Sequence, residues 1–128
     1  MKSFYSCLDP FVIAPQVEQH NLIKSMAEKE NGKIVFYGSE DFFVAPNQPF
    51  ILFKLKRTPD INGVIFFTLN QFCYGEYFNL RLLNDILDLK ISIHFARESF
   101  SIYNVSDLEE KYIELIGYFQ STFKKKSK

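Results

Sequence analysis

The spacing of apolar residues along the chain switches between the two-residue period of a strand and the 3.6-residue period of a helix. The stretch from Ile61 to Ser99 shows this most clearly. Val64 to Leu69 is a continuous apolar run, as expected for a strand covered on both faces. Gly75 to Leu89 carries Leu80, Leu83, Ile86 and Leu87 as one helical stripe, and Ile91 to Phe95 is apolar again. Strand, helix and strand in that order predict a βαβ unit.

The same alternation extends upstream. Lys2 to Leu8 reads as a short strand that Asp9-Pro10 stops. Pro15 stands where a helix can begin, and Gln16 to Glu30 places Leu22, Ile23, Met26 and Ala27 near one face. Asn31-Gly32 supplies a left-handed stop before a second strand, Lys33 to Tyr37. Phe42 to Ala45 is a short apolar run before Pro46, and Asn47 to Arg57 fits either period. Helix is the choice there, because a parallel sheet needs a crossover between Tyr37 and Gly63. Downstream, Ser106-Asp107-Leu108-Glu109 has the form of a capping box, followed by Leu108, Tyr112, Leu115 and Phe119 on one face of a last helix.

These elements predict an α/β three-layer sandwich with a four-stranded, mainly parallel sheet. One domain over 1–121, followed by a basic tail over 122–128, accounts for the 128 residues. No repeat or low-complexity linker suggests a second domain.

Composition narrows the classes. Fifteen basic and fifteen acidic residues cancel, so general attraction to nucleic acid or an anionic membrane is not expected. No apolar run approaches the roughly 18 residues of a membrane span. Ser3, Ser6 and Asp9 interrupt what would be the hydrophobic region of a signal peptide. The two cysteines, Cys7 and Cys73, have no metal-type spacing and suit a reducing compartment. A cytoplasmic location follows as an expectation. Fifteen phenylalanines and seven tyrosines exceed ordinary core needs, which raises the prospect of a protein partner or homo-oligomer.

In an open parallel sheet, ligands bind beyond the carboxyl ends of the strands. That rule gathers Cys7 and Asp9; Ser39, Glu40 and Asp41; Asn70 and Gln71; and His94, Arg97 and Glu98. The start of the first helix adds Gln16, Gln19 and His20. Such hydrogen-bonding groups suit a polar ligand, such as a sugar or nucleotide sugar. If the chain is an enzyme, His94 and Glu98 are the candidate acid–base pair, and Gln16, Gln19, Ser39, Glu40, Asn70 and Gln71 the substrate-binding set. The competing readings are a core histidine bonded to its surroundings and ordinary polar loops. Cys7 is a nucleophile only if a base lies close; a buried cysteine is otherwise inert. No glycine-rich phosphate loop, zinc pattern or nucleophile elbow is present, so no cofactor or metal is expected.

Two resemblances rest on these residues. Tyr5-Ser6-Cys7-Leu8-Asp9, Gln16 with Gln19, Ile65 to Tyr74, and Glu98 resemble the catalytic domain of serine recombinases, implying a resolvase-like or flavodoxin-like arrangement. Asp9 stands at that family's serine position, and Cys7, Gln71 and Tyr74 at its arginine positions, which argues against DNA strand exchange. Across roughly Pro15 to Ile116 the chain is also similar to a small bacterial family found in surface-carbohydrate biosynthesis clusters. Pro15-Gln16 with Gln19 and Asn21, Ser39 with Glu40, Ile61 to Leu69, His94-Phe95-Ala96 with Glu98, and Asn104 with Asp107 carry it. That resemblance implies a cytoplasmic role in making O-antigen, capsule or nonulosonate-type sugars.

Overall fold

The computed structural model describes residues 1–40, 50–74 and 77–126, and the side chains of these apart from 74 and 122–126. Strands β1 (Lys2–Leu8), β2 (Gly32–Ser39), β3 (Gly63–Phe66) and β6 (Ser92–Phe95) are parallel. They lie in the order β2-β1-β3-β6, and an antiparallel edge strand, β7 (Phe100–Ile102), extends the sheet to five. The helices are α1 (Gln16–Lys29), α2 (Phe50–Arg57), α3 (Leu80–Leu87) and α4 (Val105–Lys126). A two-stranded hairpin, β4 (Cys73–Tyr74) with β5 (Tyr77–Phe78), follows a 3₁₀ turn over Leu69–Phe72.

The chain steps from β1 to β2 in one direction and returns through β3 to β6 in the other. With right-handed crossovers, that reversal puts the first helix on one face of the sheet and the later helices on the other. The two cores follow this division. Ile23 and Ala27 of α1 pack on Phe4, Leu8 and Ile65. Ile51 and Leu55 of α2, the Leu82–Leu87 face of α3, and Leu108 and Leu115 of α4 share one core with Tyr5, Cys7, Val64 and Phe66. Phe66, Phe72 and Phe95 form an aromatic cluster within this second core, with Phe72 edge to face on the stacked pair Phe66 and Phe95 and centroid separations of 4.8 to 5.9 Å. The α/β class and the mainly parallel sheet thus follow the apolar pattern.

Several finer expectations need correction. The sheet has a fifth strand, which the sequence hid because its turn uses no glycine. Ser99 takes the left-handed conformation (φ 52°), and its N–H donates to Ala96 O. The helix expected over Gly75 to Leu89 spans only Leu80–Leu87. Tyr77 and Phe78 pair as a strand instead, and Asn79 caps the helix by accepting from Leu82 N at 3.1 Å. The last helix begins before Ser106: Asn104 Oδ1 accepts from Asp107 N at 2.7 Å, and the Asp107 carboxylate accepts from Tyr103 N at 2.9 Å. The helix then continues to Lys126, through most of the segment read as a basic tail. For Asn47 to Arg57, helix is observed from Phe50 onward. Asp41, Phe42 to Ala45, Pro46 and Gly75 lie outside the described residues.

Candidate functional site

At the carboxyl edge of the sheet, four of the predicted polar residues, Gln19, Glu40, Gln71 and Glu98, act as a latch. Gln71 is fully buried in the 3₁₀ turn. Its side-chain nitrogen donates to Leu8 O at 3.1 Å, Glu40 O at 2.8 Å and Cys7 O at 3.3 Å. Its side-chain oxygen accepts from Thr68 N at 3.0 Å. One amide therefore ties together the ends of β1, β2 and β3. Gln19 does the same for the β1–α1 connection: its oxygen accepts from Asp9 N, and its nitrogen donates to Asp9 O and Ala14 O. Glu98 accepts from the Thr68 hydroxyl at 2.7 Å and Leu69 N at 3.0 Å, which caps the 3₁₀ turn from the β6–β7 side. Glu40 accepts from Phe50 N at 2.7 Å at the start of α2. Burial raises the pKa of this carboxyl, while the Phe50 N–H and Lys54 pull the other way.

Of the remaining substrate-binding candidates, Gln16 and Ser39 are exposed and Asn70 is half-buried, with its backbone N–H on the Thr68 hydroxyl. Cys7 is completely buried, and burial followed by the nearby Glu40 charge drives its pKa far upward. The thiol is inert by this geometry.

His94 has structural partners of its own. Its Nε2 lies 2.7 Å from Ser92 Oγ and its Nδ1 2.7 Å from Ser101 Oγ. Serine hydroxyls donate or accept as required, so a neutral imidazole is satisfied at both nitrogens. Burial pushes its pKa down to about 4, against an opposing contribution from Glu30, 3.4 Å from Nδ1. Glu30 also accepts from the Tyr103 hydroxyl at 2.6 Å. His94 and Glu98 therefore sit in separate networks, and no hydrogen bond joins them.

The polar group left over lies elsewhere. Ser6 Oγ is buried and has no hydrogen-bond partner among the described residues. Along β1, Phe4, Ser6 and Leu8 face α1, because successive side chains alternate. Ser6 forms the floor of a cavity of about 340 Å³ between α1 and β2. Ile23, Ala27 and Ile34 make its apolar wall, with His20, Asn21, Lys24, Glu28, Lys33 and Tyr37 around them.

A β-bulge shapes this cavity. Phe4 pairs with Ile34 but Tyr5 pairs with Phe36, so Val35 is an extra residue in β2. Without it, Phe36 would stand opposite Ser6. With it, Phe36 stacks on Tyr5 at 6.2 Å on the other face, and Tyr37 comes opposite Ser6. The Tyr37 ring then meets His20 edge to face at 5.7 Å. His20, Lys24 and Glu28 recur at one-turn intervals and form a single row along this flank of α1.

A second cavity, about 240 Å³, lies on the opposite flank of α1, between Met26, Glu30, Ala96 and Ser101. Of its polar groups, Glu30 is committed to Tyr103 and Ser101 to His94. The α1–β2 cavity is thus the one with an unspent buried hydroxyl.

Of the cavity residues, His20 is among those expected from the sequence, whereas Ser6, Lys24 and Tyr37 are not. The available signal for Ser6 was a lone hydroxyl between Phe4 and Leu8 on the core face of a strand. Among the described residues, no group of three or more His, Cys, Asp or Glu is placed to hold a metal ion, and no helix is long and apolar enough to cross a membrane. No protein-family model matches the chain, and no curated protein matches it by sequence.

Proposed function

We propose that this chain is a sugar-binding α/β protein of surface-polysaccharide biosynthesis, acting in the cytoplasm. We place its ligand between α1 and β2 and not at the carboxyl edge of the sheet. The observation that carries the reading is the unpartnered Ser6 hydroxyl at the floor of a cavity with both apolar and polar walls. A buried hydroxyl without a partner costs roughly 1–3 kcal/mol, so a ligand that satisfies it gains a directed contact. The cavity volume falls within the ~300–1,000 Å³ of small-molecule sites, and a few polar groups on apolar walls are typical of them. The resemblance to surface-carbohydrate proteins, and the resolvase-like or flavodoxin-like shape it accompanies, supply the biological setting.

Binding has more support here than acid–base catalysis by His94 and Glu98. Both are tied to neighbouring protein groups and lie in separate networks.

A thermal-shift screen of wild type and Ser6→Ala against neutral sugars, sugar phosphates and nucleotide sugars tests the reading. A ligand of the native state raises the melting temperature by mass action. The expected result is stabilisation of the wild type by at least one sugar, and loss of that response in Ser6→Ala. If no sugar stabilises the wild type, the sugar-binding reading fails.

A second reading, a non-catalytic adaptor or self-associating subunit, draws on Phe11, Ile13 and Val17. These apolar side chains around the β1–α1 connection are 65%, 99% and 69% exposed. A concentration-independent monomer by light scattering counts against self-association.

A further inference from the structure

We propose that the ligand of the α1–β2 cavity is an uncharged monosaccharide ring, lying with its C–H face on Tyr37 and one hydroxyl on Ser6, and not a nucleotide sugar or sugar phosphate. The inference rests on the sugar-binding reading and narrows it to one chemical class.

Size is the first argument. A cavity of about 340 Å³ stands near the lower end of the range for small-molecule sites, enough for one compact ring and its substituents. Charge is the second. The flank of α1 offers Lys24 and Glu28, one cation and one anion a turn apart, so this wall carries no net formal charge. Lys33 borders the cavity from the sheet edge, in register with Ser3 and on the alternate face from Ser6.

Position is the third argument. Anions are held by the free N–H groups of a helix N-terminus, which for α1 lies at Gln16. The cavity is bordered instead by residues 20 to 28, in the body of the helix, where those N–H groups are already bonded.

The remaining features suit a neutral ring. A pyranose has one face of C–H groups, which matches the electron-rich face of an aromatic side chain. Tyr37 is 66% exposed, and the Val35 bulge delivers it opposite Ser6. The Ser6 hydroxyl donates and accepts, as a sugar hydroxyl does.

Isothermal titration calorimetry on the full chain separates the possibilities. The probes are D-glucose, D-galactose, N-acetyl-D-glucosamine, D-glucose 6-phosphate and UDP-glucose, at about 50 and about 500 mM NaCl. The variants are Tyr37→Ala, which keeps the fold because the ring is largely exposed, Ser6→Ala and Lys24→Gln. We expect a neutral sugar to bind with an affinity that salt changes by less than about twofold. Tyr37→Ala and Ser6→Ala should each weaken it about tenfold or more. If UDP-glucose or D-glucose 6-phosphate binds about tenfold tighter than the neutral sugars and loses that advantage in Lys24→Gln, the neutral-ring inference is overturned while the sugar site stands. If no probe binds, the sugar-binding reading falls and this inference with it.

Discussion

The carboxyl edge of the sheet and the α1–β2 cavity are both rich in polar side chains, yet they treat them in opposite ways. At the edge, Gln19, Gln71, Glu40 and Glu98 spend their hydrogen bonds on backbone groups at the strand ends, the β1–α1 connection, the 3₁₀ turn and the start of α2, and on the Thr68 hydroxyl. In the cavity, the Ser6 hydroxyl has nothing to bond to, and Lys24 and Glu28 belong to no ion pair among the described residues. A polar residue near the end of a parallel strand is therefore not by itself a ligand contact. What separates a latch from a site is whether the group is already satisfied.

Mutations at the two regions should fall on different observables. The largest effect is expected at Gln71. Gln71→Leu strands Thr68 N and removes the donor shared by the ends of β1 and β2, so urea denaturation should show a loss of about 3 kcal/mol. The proposed sugar binding should be unchanged in the remaining folded protein.

His94 gives the next effect, read through pH. The unfolded chain takes up a proton on this histidine near its ordinary value of 6.5, whereas the folded protein keeps it neutral down to about 4. Between those values the unfolded state binds more protons, so stability falls as pH is lowered through this window and levels off above and below it. The loss attributable to His94 should be on the order of 2–3 kcal/mol, and His94→Gln should lack that part of the slope. A slope of the same size in His94→Gln would show that other groups carry it.

Glu98→Ala removes the acceptor for the Thr68 hydroxyl and Leu69 N, for an expected cost of about 1–2 kcal/mol in chemical denaturation. The smallest stability effect should come from Ser6→Ala. Deleting a hydroxyl that has no partner should change stability by less than about 0.5 kcal/mol, or raise it slightly, while abolishing the ligand response. A marked destabilisation by Ser6→Ala would mean that the hydroxyl has a structural role, and would move the cavity into the same class as the edge.

How far these features could be read from the sequence depends on whether their determinants are local. The unbroken apolar run at Val64 to Phe66, the period of Leu83, Ile86 and Leu87, and the Pro15 start of α1 are local patterns, and they lead to an α/β chain with a mainly parallel sheet. The β7 strand escaped because its turn relies on Ser99 in a conformation that residue type does not advertise. The shortened α3 escaped because Asn79, a strong cap, lies within a stretch whose apolar period continues upstream. The candidate cavity was harder to find. The rule for strand ends, with the start of the first helix added, gathered Gln19, Gln71, Glu40 and Glu98, but nothing in residue type shows which hydrogen bonds are already taken. Tyr37 faces Ser6 only because Val35 is bulged, and that follows from pairing with β1, a non-local event.

Two-dimensional ¹H–¹⁵N NMR of the full chain, titrated with the sugar that gives the strongest thermal shift, compares the two regions in a single measurement. Shifts should concentrate at Ser6, at His20 to Glu28 and at Lys33 to Tyr37, with Asp9, Thr68 to Gln71 and Glu98 unmoved. Shifts centred instead on Asp9, Thr68 to Gln71 and Glu98 would place the ligand at the sheet edge and contradict its placement in the α1–β2 cavity.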